Sequence, residues 1–199
     1  MRLKIVQAGE PVLRAAARPL SPDEIRMPAI EDLLTHMRDT MRDAPGVGLA
    51  APQVGLGIQL AVIEDRAELL AGIKPELLAE RERAPIEYFA LFNPRIVTYS
   101  EETTEFFEGC LSVAGFSALV RRSRRVTVEY LNEQGEPQRL EASGWFARIL
   151  QHEIDHLNGR LYIDLMETRT FATMDNIARH WKDFSTHALR EKLGIVDRA

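Results

Sequence analysis

Two histidines four residues apart, in Gln151-His152-Glu153-Ile154-Asp155-His156, constrain this chain more than any other feature. On a helix they are neighbours on one face, with Cβ atoms about 5–6 Å apart, so both rings can reach one metal ion at about 2.0–2.1 Å. A helix is expected over Gly144–Leu157. Ser143 stands where an N-cap belongs, Phe146, Ile149 and Leu150 supply an apolar face, and Asn158-Gly159 is a stop. Glu153 is rotated about 100° from His152 around the axis, a place suited to a base acting on water at the metal.

Two histidines do not complete a site, so the third ligand decides the class. A third histidine ten residues after His152 is ruled out, because position 162 is Tyr. A glutamate on a following helix would serve, but Glu167 sits in Leu165-Met166-Glu167-Thr168, without a helical context. Cys110 is the remaining soft ligand. It lies in Glu108-Gly109-Cys110-Leu111-Ser112 after a strand-like 103–107, and Gly109 permits a close backbone approach. The thiol is a ligand or nucleophile candidate, against the plainer reading as a small buried hydrophobe. As the only cysteine it cannot form an intramolecular disulfide, which argues for a reducing compartment. His36, His180 and His187 lie in helical patterns without a partner at ligand spacing and read as solvated or structural.

The rest of the chain reads as one domain over residues 1–199, since no repeat, low-complexity tract or Gly/Ser linker divides it. Pro28 opens a helix whose Ile30, Leu33, Leu34, Met37 and Met41 follow the three-to-four spacing and which stops before Pro45-Gly46. Short apolar runs at 57–63, 88–92, 95–99, 126–131 and 138–141 read as strands, the last two joined by a turn at Asn132-Glu133-Gln134-Gly135. A final helical pattern covers about 171–193. The expected class is α+β: mostly antiparallel sheets packed around a central metal-binding helix, with N-terminal and C-terminal helices. A net charge of -5 is against a generally basic nucleic-acid coat, and no direct sequence-specific nucleic-acid contact is expected. No run approaches the 18 apolar residues of a membrane span, and the N-terminus lacks a signal-peptide pattern, so no membrane partner and a cytoplasmic location are expected.

Three stretches together resemble a known family. Gly46-Val47-Gly48-Leu49-Ala50-Ala51-Pro52-Gln53, then Glu108-Gly109-Cys110-Leu111-Ser112, then Gln151-His152-Glu153-Ile154-Asp155-His156 are similar to the three ordered signature motifs of peptide deformylases. Gly9-Glu10-Pro11-Val12-Leu13-Arg14 resembles the family's opening. Ala142-Ser143-Gly144-Trp145, leading into Ala147-Arg148-Ile149, resembles the subtype also found in mitochondria. Little after Thr173 matches, and Arg121-Arg122 departs from a usual Pro-Arg, which bears on the local strand geometry.

The resemblance implies removal of the formyl group from the N-formylmethionine of nascent peptides, with a general zinc-dependent peptidase as the alternative. It implies one divalent metal on Cys110, His152 and His156, usually Fe(II), with Zn, Ni or Co able to replace it. Glu153 would move the proton, while the Gln53 side-chain amide and the Leu111 backbone N–H would donate to the oxyanion. The plainer role for Gln53 is a loop-capping amide. Gly48 and Gly109 would let the substrate backbone pair as an added strand beside Val47. Its first side chain would then enter an apolar wall of Val47, Trp145 and Ile149, with the Arg148 head outside the pocket or snorkelling across its rim. The last helical pattern reads as a helix packed on its own domain. A ribosome-docking or homodimer-forming helix is its alternative.

Overall fold

The structure, a computed structural model, describes residues 1–196. In chain order the regular elements are α1 (Pro22–Ile25), α2 (Pro28–Asp43), β1 (Gly48–Ala50), β2 (Leu60–Asp65), α3 (Ala67–Leu70), α4 (Pro75–Glu80) and β3 (Ile86–Tyr99). There follow β4 (Thr103–Cys110), β5 (Val113–Ser123), β6 (Arg125–Leu131), β7 (Pro137–Ser143), α5 (Gly144–Leu157), β8 (Ala172–Thr173), α6 (Met174–His180) and α7 (Thr186–Lys192). A five-stranded antiparallel sheet runs β1-β2-β3-β6-β7, and a three-stranded antiparallel sheet runs β4-β5-β8. The α+β class expected from the sequence is the one observed.

Strand alternation explains why the larger sheet is covered on both faces. Leu60 and Val62 of β2 join Leu34, Met37 and Met41 of α2 in one core. Ile63 of the same strand points the other way and packs with Leu91, Val126, Val128 and the Ile149, Leu150 and Ile154 side of α5. Helix α5 therefore presents its apolar side to the large sheet. Its Arg148, His152 and Asp155 side faces β4 and β5. Nine of its fourteen residues are buried, which no one-sided surface helix would show.

Several local expectations change. The runs at 88–92 and 95–99 are one strand, β3, that continues across a bulge at Asn93-Pro94. Asn93 tolerates a positive φ of 48° there, and its side-chain amide exchanges two hydrogen bonds with the backbone of Leu20, at 2.9 and 2.7 Å. Strand β5 went unread because Arg121-Arg122 breaks its apolar alternation, yet it continues through Ser123 with Arg122 buried. Ser143 does occupy the N-cap position of α5, but its side chain makes no capping bond. The Trp145 N–H is taken instead by the Arg81 carbonyl at 2.8 Å.

The pattern at 171–193 is not one helix. Ala172-Thr173 pairs with β5, the Thr173 and Ser185 side chains cap two separate short helices, and the chain turns between them. The segment packs on its own domain. Trp181 stacks on Phe107 of β4, Leu189 is buried, and Arg190 grips Glu105 of β4 at 2.9 and 3.0 Å.

The segment between β2 and β3 is held by a buried ion pair. Arg83 binds Asp65 through two bonds of 2.7 and 2.9 Å, and Asp65 is 0% exposed. Removing the cation would strand a buried carboxylate. Arg83→Met should therefore lower stability by about 3–5 kcal/mol, as read from urea unfolding. A loss below about 1 kcal/mol would show that the pair is not needed.

Candidate active site

The site forms where one side of α5 meets the end of β4. His152 and His156 lie on neighbouring turns with ring centroids 4.9 Å apart and planes at 83°. Cys110 ends β4 at a break in register with β5, and its Sγ lies 3.3 Å from His156 Nε2. One ligand atom from each of Cys110, His152 and His156 falls within 4.8 Å of the other two. A single ion at about 2.0–2.3 Å from each fits such a set.

The chemistry around the donors supports that fit. Glu108 lies two residues before Cys110 and so shares its face of β4. Its Oε2 lies 3.1 Å from His152 Nδ1, which leaves Nε2 as the donor atom. Burial opposes the Glu108 carboxylate, but the His152 bond and the Arg122 charge outweigh it and hold the carboxyl well below the usual range. Burial also opposes a charged His152, yet hydrogen bonds to Cys110 and Glu108 prevail and raise its pKa. Burial pushes His156 well below the ordinary histidine value, so it is neutral, as a metal ligand must be.

Glu153 leaves the helix toward β1. It is 4% exposed, burial pushes its carboxyl up to about 7, and its Oε2 has no hydrogen-bond partner among the described residues. The reason for Gly48 is visible here. A Cβ at position 48 would stand 2.2 Å from Glu153 Oε1 and 2.6 Å from its Cδ, so only glycine lets the carboxylate lie against β1. The sequence reading gave Gly48 to the substrate backbone, and its tighter constraint comes from Glu153. At Gly109 an added Cβ would meet only the Phe116 carbonyl oxygen at an ordinary 3.5 Å.

Gln53 fills the loop-capping role. Its Oε1 accepts from the Ala50 N–H at 2.9 Å, the loop-capping bond. That bond turns Nε2 toward Cys110 Sγ at 3.5 Å and Ser112 Oγ at 3.3 Å. Leu111 follows the cysteine, and its carbonyl accepts from Gln7 Nε2 at 3.0 Å, which ties the N-terminal segment to the site loop.

A pocket of about 510 Å³ opens beside these groups. Val47, Gly48, Gly109, Trp145 and Ile149 all line it, together with Gln53, Cys110, Leu111, His152 and Glu153. The placement of Arg148 has to be corrected. Arg148 is among the residues that line the pocket, and its guanidinium is buried and bound to Glu108 at 2.5 Å, because its helix face points at β4 rather than at solvent. The sequence reading also missed Phe116 and Met174 on the rim, and Tyr162, whose ring stacks on His152 at 6.4 Å. A signal for Glu108 was available: a carboxylate two residues from a strand cysteine shares its face and needs a partner if buried. Arg122 and Met174 had no such local signal.

Comparison with known proteins follows the same lines. A family model described as Polypeptide deformylase matches residues 2–171. The chloroplastic peptide deformylase 1A of Solanum lycopersicum is 43% identical over 191 residues, covering 96% of this chain and 67% of that protein. Peptide deformylase 3 of Streptomyces avermitilis is 42% identical over 194 residues, 98% of this chain and 84% of that one. Among solved structures, the Met-Ala-Ser-bound class I type b peptide deformylase of Acinetobacter baumannii superposes with a TM-score of 0.74 at 32% identity. It covers 83% of this chain and 99% of that chain.

The Gly48–Glu153 contact makes a structural prediction. Gly48→Ala should fold at a cost of about 1–3 kcal/mol, and its crystal structure should show the Glu153 carboxylate displaced from β1. An unmoved carboxylate would refute the steric argument.

Proposed function

The chain belongs to the peptide deformylase family, and from that premise we propose how its residues remove the formyl group from N-formylmethionine of nascent peptides. The carrying observation is the convergence of Cys110, His152 and His156 beside a buried carboxylate at the mouth of a pocket. A general peptidase is not favoured: the relatives compared are deformylases.

Cys110 Sγ and a ring nitrogen of each of His152 and His156 would hold one divalent ion, for which we infer Fe(II) with Zn, Ni or Co as substitutes. Such an ion supplies Lewis-acid polarisation of the formyl carbonyl and lowers the pKa of water. Glu153 does the proton work. Its carboxylate takes a proton from the attacking water as oxygen bonds to the formyl carbon, then delivers it to the amine as the C–N bond breaks, giving formate and a free N-terminus. Burial and the missing partner at Oε2 suit a group that must hold and release a proton. Gln53 Nε2 and the Leu111 N–H would donate to the oxygen that gains charge, and the Ala50–Gln53 bond keeps that amide in place beforehand.

β1 and β4 are edge strands of their sheets and both border the pocket. A peptide backbone added along Val47-Gly48 and Gly109 would send its first side chain between Val47, Trp145 and Ile149. The bound Met-Ala-Ser peptide of the Acinetobacter structure is in keeping with a methionine there. No helix among the described residues is long and apolar enough to cross a membrane. We infer that the whole chain works as one domain in the cytoplasm on chains leaving the ribosome. The packing of α7 on β4 supports an intramolecular role for the C-terminal segment over ribosome docking or homodimer formation.

The deciding experiment compares kcat/KM for formyl-Met-Ala-Ser, its acetylated counterpart and the unblocked peptide. Only the formyl compound should turn over well; comparable rates for the acetyl peptide, or cleavage of an internal bond, would reject the reading. Replacing the formylated residue should rank Met with norleucine, well above Val and Asp, because a flexible thioether gains about 1.5–3 kcal/mol on burial. Equal values for Met and Asp would show that the pocket does not select.

Glu153→Gln preserves shape and removes the base. Turnover should fall by about 10² or more while bound metal stays at one equivalent by elemental analysis. Full activity at full occupancy would dismiss Glu153 as the proton carrier.

A further inference from the structure

Arg148 is 3% exposed, and its hydrogen bonds reach both strands facing α5. Its Nη1 donates to Glu108 Oε1 at 2.5 Å and to the Val120 carbonyl at 3.0 Å, and its Nη2 donates to the Thr104 carbonyl at 2.8 Å. The guanidinium also lies over the Phe106 ring at 5.2 Å. A buried cation with this many fixed partners has one orientation.

The consequence falls on Glu108. Arg122 takes both of its carboxylate oxygens, at 3.0 Å each, but spends its remaining Nη1 on Asp155, so its charge is shared between two carboxylates. Arg148 places a second cationic donor on Oε1 alone. Oε2, with the lighter load, is the oxygen that meets His152 Nδ1 at 3.1 Å. The asymmetry selects the carboxylate plane, and the plane selects the tautomer and tilt of the imidazole.

We propose that Arg148 is a positioning residue for the metal centre: it fixes Glu108 so that Oε2 accepts from His152 Nδ1–H and the Nε2 lone pair faces Cys110 and His156. The inference rests on the reading that these three residues hold a divalent ion. Arg148 lines the pocket, but its hydrogen bonds go to Glu108, Thr104 and the Val120 carbonyl rather than to Cys110, His152 or His156, so its route to the ligands runs through Glu108. A purely structural brace between α5 and the small sheet is the competing role.

The two roles separate in the rate at which the zinc-loaded protein loses metal to an excess of chelator. Arg148→Gln keeps an N–H donor for the strand carbonyls and removes the cation from Glu108. It should speed zinc loss about 10–100-fold, with Arg148→Lys closer to native because it returns the charge. The decisive comparison is made in the Glu108→Gln background. There Arg148→Gln should add little, because its route to His152 is already cut. A zinc-loss rate within twofold of native, or the same added increase in both backgrounds, would overturn the proposal and leave a brace. If Arg148→Gln does not fold, the same comparison is made with Arg148→Lys. A smaller increase that vanishes beside Glu108→Gln is then expected, and no increase or an additive one counts against the proposal. Failure of the metal reading would look different, since native protein would then bind less than one zinc equivalent.

Discussion

A carboxylate buried away from water must be met by cations and donors or it destabilises the fold. Glu108 is such a group, and its partners come from separate pieces of chain: Arg122 from β5, and Arg148 and His152 from α5. Meeting its needs therefore closes the small sheet onto the helix. The same closure delivers Cys110, two residues along the strand, to the histidine face. Stability and site geometry are coupled at one side chain, so the donor set is as rigid as the ion-pair network that holds it.

Helix α5 serves three surfaces at once. Its apolar side belongs to the large sheet, its Arg148, His152 and Asp155 side belongs to the small one, and Glu153 emerges between them against β1. This last contact has a backbone cost. Glycine in a strand forfeits side-chain packing, and at position 48 that forfeited volume is where the carboxylate lies. Glu153 is left with an oxygen that no group among the described residues bonds. A fold optimised for stability alone would bond that oxygen; in the proposed mechanism Glu153 is the group that exchanges protons with the attacking water.

What the sequence revealed, and what it hid, follows from the range of the interactions involved. The i,i+4 histidines, the helix stop at Asn158-Gly159 and the hairpin at 132–135 are set by neighbours, and each is found where local rules put it. Ser143 was placed correctly, but its capping bond was not made, because a distant carbonyl, that of Arg81, reached the helix first. Strand β5 was illegible for a related reason: Arg122 looks like a solvent residue until a buried Glu108 and Asp155 supply its partners. Arg148 was misplaced because helical spacing gives angles but not what lies opposite them. The C-terminal pattern had the apolar period of a single helix, and the Thr173 and Ser185 caps divided it.

The placement of the pocket between two sheet edges bears on how a deformylase can treat many substrates alike. Nascent chains differ in every residue after the first, so side-chain contacts further along would make the enzyme slow on most of them. Backbone hydrogen bonds to an edge strand carry no sequence preference, and β1 and β4 are such edges, with Gly48 and Gly109 lining the pocket beside the donor residues. Exposed edges invite unwanted pairing. Here β1 is three residues long and fully buried, while β4 is flanked by the α7 segment through Glu105 and Arg190. The edge that remains accessible is thus short, and it lies beside the pocket that, in the proposed function, takes a flexible unbranched apolar first side chain. On this reading selectivity resides in one pocket and one carbonyl, and generality in the backbone.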